Sequence, residues 1–298
     1  MKRIAIIGSG ISGIGAAYAL KDTADVTLFE AQDRLGGHAC THVFDYDGHE
    51  TAVDLGFIVY NGLNYPNLIG LFDALDVETQ ESDMSFAVSD RDGWEWASTA
   101  RGIFAQKRNL FSLDFHRFWR TILKFNDLAR AELAAGRIED TTLGDWLDFH
   151  GFDQAFRCNY ILPMGAAIWS TPEVGMLDYP ARSFFQFFEN HRLMHKERPQ
   201  WRTVTGGSQS YVNAAAAELG DRVRTGTPAI RVFPFGDKIT VVTEDNRSHI
   251  FDDVILATHS DQALRLVEKG FEDQSFLLRS VHYRPNTIYL HRDPALMP

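Results

Sequence analysis

The sequence opens with a glycine pattern that suits phosphate binding. Gly8, Gly10 and Gly13 form a GxGxxG motif between an apolar run, residues 4–7, and a segment with helical character, residues 12–21. The first glycine of such a motif permits a tight turn, the second lets the backbone approach a pyrophosphate, and the third allows helix and strand to pack closely. The unpaired N–H groups at the helix N-terminus then face the phosphates. A glycine turn without a ligand is the alternative. The predicted contacts of a dinucleotide here are Gly8, Gly10, Ile11, Ser12 and Gly13.

A second apolar strand, residues 26–29, completes a β-α-β unit and ends in Glu30. This unit implies a parallel sheet. An acidic residue at the end of the second strand can accept hydrogen bonds from the ribose hydroxyls. We therefore predict that Glu30 and the adjoining Ala31 contact the nucleotide.

The segment after Glu30 favours FAD over NAD. Arg34 and the glycine pair Gly36 and Gly37 are followed by His38. A second glycine pair offers the long FAD molecule another backbone surface, and Arg34 can place positive charge near its phosphates. A simple loop is one alternative. An NAD(P)-dependent reductase is another, which this segment disfavours.

Composition excludes several classes of partner. The formal net charge of the 298 residues is −11, which argues against nucleic acid because phosphate recognition needs a basic surface. No stretch approaches the 18 or so uninterrupted apolar residues of a membrane span, although peripheral membrane contact is compatible with the sequence. Cys40 and Cys158 form no CxxC pair, so no metal site is predicted and a reduced, cytoplasmic protein is favoured.

The distribution of elements predicts one interrupted domain. The alternating β/α pattern stops near Tyr60 and returns near Val204, and a long amphipathic helix is predicted over residues 114–135 between them. A single late strand is predicted over residues 250–257. The fold class is α/β, a Rossmann-like FAD/NAD(P)-binding domain with an inserted, mostly helical α+β substrate domain. The predicted segments are 1–60 and 204–262 for the FAD-binding domain, and 61–203 and 263–298 for the substrate domain.

These motifs resemble those of the FAD-dependent amine oxidase and phytoene desaturase superfamily, and the resemblance implies a GR2-type FAD fold. Asp54-Leu55-Gly56-Phe57 is similar to the element whose backbone approaches the flavin, which implies contacts from Gly56 and Phe57. Pro228-Ala229-Ile230 resembles the strand whose backbone meets the adenine, which implies a contact from Ala229. Further stretches are similar to a bacterial subgroup of predicted NAD/FAD-binding amine-oxidase-like proteins, among them Ala167–Ser170, Pro199–Arg202 and Ala257–Asp261.

The resemblance implies a two-electron oxidation of a small organic substrate, with a weak preference for a hydrophobic or lipid-like one. An FAD-binding protein without turnover is the alternative from another class. His38 stands where monoamine oxidases place an arginine. Residues 286–290 read as a strand leading to the family's C-terminal flavin-contacting segment, so the sequence, which stops at Leu296-Met-Pro298, is expected to be truncated.

The sequence contains no recognisable pair of catalytic acid and base, so it does not identify the catalytic residues. His38 is either a flavin contact or a loop histidine, and His259 either faces the cofactor or caps the helix after it. Several aromatic residues either line a substrate cavity or belong to the core: Tyr60, Trp169, Trp201 and the cluster Phe184, Phe185, Phe187 and Phe188.

Overall fold

The computed structural model describes residues 1–89, 93–99, 101–170, 175–283 and 285–294. Leu296–Pro298, the residues on which the expectation of a truncated sequence depends, lie outside the described residues. The strands are β1 (Arg3–Ile7), β2 (Asp25–Phe29), β3 (Thr41–Tyr46), β4 (His49–Asp54), β5 (Tyr60–Asn61), β6 (Thr79–Ser82), β7 (Ala87–Ser89), β8 (Glu95–Ala97), β9 (Trp201–Val204), β10 (Val223–Arg224), β11 (Ala229–Phe235), β12 (Lys238–Thr243), β13 (Ser248–Phe251) and β14 (Asp253–Leu256). The α-helices are α1 (Ile11–Leu20), α2 (Pro66–Ala74), α3 (Leu113–Ala134), α4 (Leu143–Phe149), α5 (Gln154–Phe156), α6 (Leu162–Trp169), α7 (Ala181–Asn190), α8 (Gln209–Leu219), α9 (Ser260–Leu266) and α10 (Glu272–Arg279).

The chain divides into two compact units, each described by itself. Unit 1 consists of Met1–Tyr60, Tyr65–Glu81 and Arg202–Pro285. Unit 2 consists of Asn61–Asn64, Ser82–Trp201 and Asn286–Pro298.

A four-stranded parallel sheet with the order β10-β2-β1-β14 forms the centre of unit 1. Successive side chains of a strand point to opposite faces, and both faces of β1 are buried. Ile4 and Ile6 share a core with residues of α1 and α8, whereas Ala5 and Ile7 share another with residues of β11, β12 and β13. The continuous apolar run in the sequence is thus explained by a three-layer arrangement.

Two further sheets of unit 1 are antiparallel. β11, β12 and β13 form one sheet, and β3 and β4 form a hairpin that turns at Asp47 and Gly48, both at positive φ. The strand predicted over residues 250–257 is two strands, because the chain passes at Asp252 from the antiparallel sheet (β13) to the parallel one (β14). The Asp252 carboxylate accepts the Arg3 N–H at 2.6 Å and fixes this transfer. A further sheet has the order β5-β9-β6.

Unit 2 is built mainly of helices around an aromatic core. α3 begins at Ser112, whose hydroxyl accepts the Phe115 N–H, and it buries Phe115, Phe118, Ile122 and Phe125 on one face. α5 passes through a π-helical turn, residues 157–161, into α6. The paired strands β7 and β8 add Trp96 to the core.

Two predicted boundaries are wrong. Residues 65–81, predicted for the inserted domain, belong to unit 1, because Phe72 of α2 packs against Tyr60 and Tyr211 at 5.3 Å between ring centroids in each pair. Residues up to Pro285 also belong to unit 1, because the Glu268 N–H donates to Val232 of β11.

The strand predicted over residues 286–290 is absent from the structure, in which these residues have no regular secondary structure. A strand needs a ladder partner, and the described part of the chain offers none here. Ile288 and Tyr289 are consequently 62% and 82% exposed.

Candidate cofactor site

Ser9, in the middle of the GxGxxG turn, is fully buried and connects three parts of unit 1. Its N–H and hydroxyl both donate to Glu30 Oε2, at 3.0 and 2.5 Å. Its carbonyl oxygen accepts the Gly36 N–H at 3.1 Å. The glycine turn, the end of β2 and the second glycine pair are therefore held together through one serine.

These segments line a cavity of about 850 Å³ that lies within unit 1. The cavity is within the size range of cofactor sites. Both glycine motifs, the N-terminus of α1, the end of β2 and the start of α9 contribute to its wall. The predicted residues that the structure brings to this wall are Gly8, Gly10, Ile11, Ser12, Glu30, Ala31, Arg34, Gly36, Gly37, His38, Phe57 and Ala229.

Gly13 and Gly56, also predicted as contacts, are not among the residues that line the cavity. A Cβ atom on Gly13 would lie 1.8 Å from the Gly8 carbonyl oxygen, and one on Gly56 would lie 2.1 Å from the His38 carbonyl oxygen. Neither glycine leaves room for a side chain. Gly13 therefore allows close packing against the backbone of Gly8, and Gly56 against that of His38, and both Gly8 and His38 line the cavity.

The N-terminus of α1 fits a negatively charged group. Gly10 is the N-cap, no side chain caps this end, and a Cβ atom on Gly10 would meet nothing within 4 Å. The first N–H groups of a helix have no intrahelical acceptor and carry the positive end of the helix dipole. Gly10 is thus the point at which a phosphate can approach the backbone most closely.

Arg34 serves mainly to hold the loop that follows it. Its guanidinium donates to the Gly37 carbonyl at 2.9 Å and to the Ala39 carbonyl at 3.3 Å. Arg34 also lines the cavity, as do Arg265 of α9 and Glu30, so two positively charged residues and one negatively charged residue belong to its wall.

His38 and His259 lie together at the cavity, with ring centroids 5.5 Å apart. His259 is also the N-cap of α9: its N–H donates to Gln262 Oε1 at 3.3 Å, and its ring stacks on Tyr283 at 4.5 Å. His259 therefore both lines the cavity and caps α9.

Sequence reasoning missed Tyr211, which lines the cavity from α8. The neighbouring Asp54 carboxylate accepts from the N–H and hydroxyl of Ser208 and from the Thr41 hydroxyl, and so fixes the start of α8. Burial, and then the negative charge of Asp54, raises the pKa of Tyr211 to about 12. The signal that could have found Tyr211 is its position on the buried face of the helix after Gly206-Gly207.

The predicted substrate-cavity aromatics belong to the core or pack against it, except Trp201, which is half-buried and outside the core clusters of the described residues. Phe184, Phe185 and Phe188 are fully buried in unit 2, and Trp169 packs against Phe184 at 5.1 Å. Tyr60 is buried in unit 1. None of these lines the unit 1 cavity or the unit 2 cavity described below.

Comparison with known proteins agrees with this geometry. The sequence profile of a family described as flavin-containing amine oxidoreductases matches residues 11–290. The chain belongs to this family. The recognition made from the glycine motifs is thereby confirmed, and FAD is the cofactor expected of the family member.

Curated members of the family share about a quarter of their residues with the chain. Tryptophan 2-monooxygenase of Pseudomonas savastanoi is 26% identical over 94% of the chain and 56% of its own length. The flavin-containing amine oxidase of Oncorhynchus mykiss is 26% identical over 86% of the chain and 49% of its own length. The chain thus spans about half the length of these amine oxidoreductases.

Solved structures of two amine oxidases have the same fold. Cyclohexylamine oxidase from Brevibacterium oxydans aligns with 93% of the chain and 63% of its own chain, at a TM-score of 0.71 and 21% identity. A putrescine oxidase variant covers the same shares at a TM-score of 0.70 and 22% identity. Within the described residues of this family member, no helix has the length and apolar character needed to cross a membrane.

Proposed function

We propose that the protein containing this chain is an FAD-dependent oxidoreductase that removes two electrons from a small organic substrate. The observation that carries the proposal is the unit 1 cavity, in which both glycine motifs and the bare N-terminus of α1 share one wall. A wall of backbone N–H groups and glycines suits the pyrophosphate of FAD, because nothing larger than hydrogen stands between ligand and backbone.

The residues of this cavity have separable tasks. Gly10 and the first turn of α1 bind the pyrophosphate, and Glu30 accepts hydrogen bonds from the ribose. Glu30 Oε2 already accepts two hydrogen bonds from Ser9, and Glu30 Oε1 accepts one from the Gln32 N–H. The two carboxylate oxygens together can accept about four hydrogen bonds, so the carboxylate can still accept one from the ribose. Phe57 and Tyr211 present aromatic surface to the cavity and restrict access of water.

When bound, the flavin supplies the two-electron chemistry, and the protein supplies position and electrostatics. His38 and His259 are the titratable groups that the cavity places side by side. We propose that they position the cofactor and assign neither of them a proton transfer.

For the substrate we propose an organic amine, with an apolar body. The support is the names of the relatives, which include oxidases of putrescine and cyclohexylamine and a monooxygenase of tryptophan. The helical unit 2 is proposed as the substrate domain. A cytoplasmic location is proposed from the two free cysteines, Cys40 and Cys158.

Anaerobic mixing of the FAD-loaded natural protein with candidate donors tests the proposal. Putrescine, cyclohexylamine, tryptophan, a long-chain fatty acid and NADPH form the panel, and the visible absorbance of the flavin is followed. Bleaching by an amine supports the proposal, and free FAD with each donor is the control. Bleaching by NADPH alone supports the reductase, and no bleaching with any donor supports a protein that binds FAD without turnover.

A further inference from the structure

Unit 2 has a cavity of its own, of about 580 Å³, that the cofactor site does not use. Its apolar surface comes from aromatic and aliphatic side chains, among them Phe86, Trp96 and Met164. A cavity of this size accommodates a small organic molecule.

One side of this cavity carries polar atoms without partners. Trp119 Nε1, Asn126 Oδ1 and Arg130 Nε are buried, and none makes a hydrogen bond within the described chain. Arg130 Nε lies 3.6 Å from Glu189 Oε2, an ion-pair contact that is too long for a hydrogen bond. All three residues are on α3 at spacings of seven and four, so they share one helix face. Buried polar groups in proteins are nearly always paired, and three unpaired ones on one face indicate a site for a polar ligand group.

The charge around the cavity is positive although the chain as a whole is acidic. Arg130, Arg192, Lys196 and Arg198 line it, against Asp127 and Glu197 and against Glu189, the ion-pair partner of Arg130, while the formal net charge of the chain is −11. No ion pair joins Arg192, Lys196 or Arg198 to an acidic residue in the part of the chain that the structure describes. An anion is therefore the favoured ligand group.

The backbone around the cavity departs from regular geometry at two lining residues. Arg192 has φ +56°, a left-handed conformation that is uncommon for residues other than glycine. Tyr160 lies on the π-helical turn before α6, a feature found frequently at functional sites. Both irregularities coincide with the cavity.

We propose that this cavity binds a small carboxylate with an apolar body. The carboxylate accepts from Trp119 Nε1 and Arg130 Nε, and the Asn126 amide, which can present either its oxygen or its nitrogen, completes the polar side. The apolar body lies against Phe86, Trp96 and Met164. The binding does not depend on whether this ligand is the compound that the flavin oxidises.

Isothermal titration calorimetry of the natural protein tests the proposal, with excess FAD in both solutions so that the unit 1 cavity does not contribute. Decanoate and 3-phenylpropanoate are the probes, and their methyl esters are the uncharged controls. At least one acid is expected to bind about tenfold or more tightly than its ester, because hydrogen bonds to a charged group are the strong ones. The acid that binds better shows whether the apolar body is aliphatic or aromatic.

Two variants locate the binding. Arg130→Gln and Trp119→Phe should each weaken binding of the acid by about tenfold and leave binding of the ester unchanged. Arg120→Gln is the matched control, since Arg120 is exposed on the same helix and does not line the cavity. Circular dichroism shows whether the variants fold, and Arg130→Lys replaces Arg130→Gln if that variant does not. Equal affinity for acid and ester, or equal effects of the substitutions at Arg130 and Arg120, would overturn the proposal.

Discussion

Gly37 lies directly against Gly10: a Cβ atom built on Gly37 would be 3.0 Å from the Gly10 Cα. The two glycine motifs are separated in sequence by a helix and a strand, yet they form one surface. Gly37 is glycine partly because Gly10 occupies the space that a side chain there would need, whereas a side chain on Gly10 would enter the open space that we assign to the ligand.

Substitution of Gly37 by alanine should therefore damage cofactor binding more than folding. Gly37 has φ +58°, so alanine costs about 1–2 kcal/mol of stability in addition to the contact with Gly10. We expect FAD affinity to fall at least about tenfold, measured by equilibrium dialysis. Gly48→Ala is the matched control, because Gly48 also has positive φ, at +86°, but has open space around it. It should lower the free energy of unfolding similarly and leave FAD affinity unchanged; a loss of affinity in both variants would contradict this account.

Glu30→Ala tests whether the carboxylate serves the ribose or only the loop. The loss of a hydrogen bond to a charged group corresponds to about 1.5–3 kcal/mol, so FAD affinity should fall about tenfold to a hundredfold. Ser9→Ala removes the 2.5 Å hydroxyl bond to Glu30 and keeps the carboxylate. If the two variants lose equal affinity, Glu30 acts through the loop alone and has no direct contact with the cofactor.

Local patterns predicted the elements that depend on nearby residues. The β-α-β unit through Glu30 is formed by contacts between elements that follow one another directly in the sequence. Most of the residues that line the cavity could be predicted from the glycine motifs, because Gly8 and Gly36 have positive φ and form the turns of the wall.

The errors arose where a distant partner decides the outcome. Phe72 belongs to unit 1 because of Tyr211, a residue so far away in the sequence that no local pattern around Phe72 can reveal the contact. Residues 286–290, Asn-Thr-Ile-Tyr-Leu, have strand character but no ladder in the described structure. The end of β13 at Phe251 is set by Asp252, whose partner is Arg3 at the other end of the chain.

Asp54→Asn should destabilise unit 1 through the start of α8. The Asp54 carboxylate accepts the Ser208 N–H at 2.9 and 3.0 Å, at the positive end of the helix dipole. We expect the free energy of unfolding in urea to fall by about 1.5–3 kcal/mol. Asp45→Asn is the control, because Asp45 accepts the Gly48 N–H in an exposed turn. An effect of Asp54→Asn no larger than that of the control would show that the hydrogen bonds between Asp54 and Ser208 contribute little to the stability of unit 1.

The protein should lose stability in alkali partly because of Tyr211, since burial raises the pKa of Tyr160 to about 12 as well. Burial and the charge of Asp54 raise the pKa of Tyr211 from its ordinary value of 10.0 to about 12. The folded state thus favours the neutral phenol. This contribution is complete below pH 10 and is lost as the pH rises towards 12, by roughly 1.4 kcal/mol per pH unit at most. Urea unfolding at several pH values should show the decline in the natural protein and in Tyr289→Phe, whose tyrosine is exposed, but a smaller decline in Tyr211→Phe. Asp54→Asn removes the second cause, so the pKa of Tyr211 should be lower in that variant; an identical alkaline decline in all four proteins would show that Tyr211 is not held neutral by the fold.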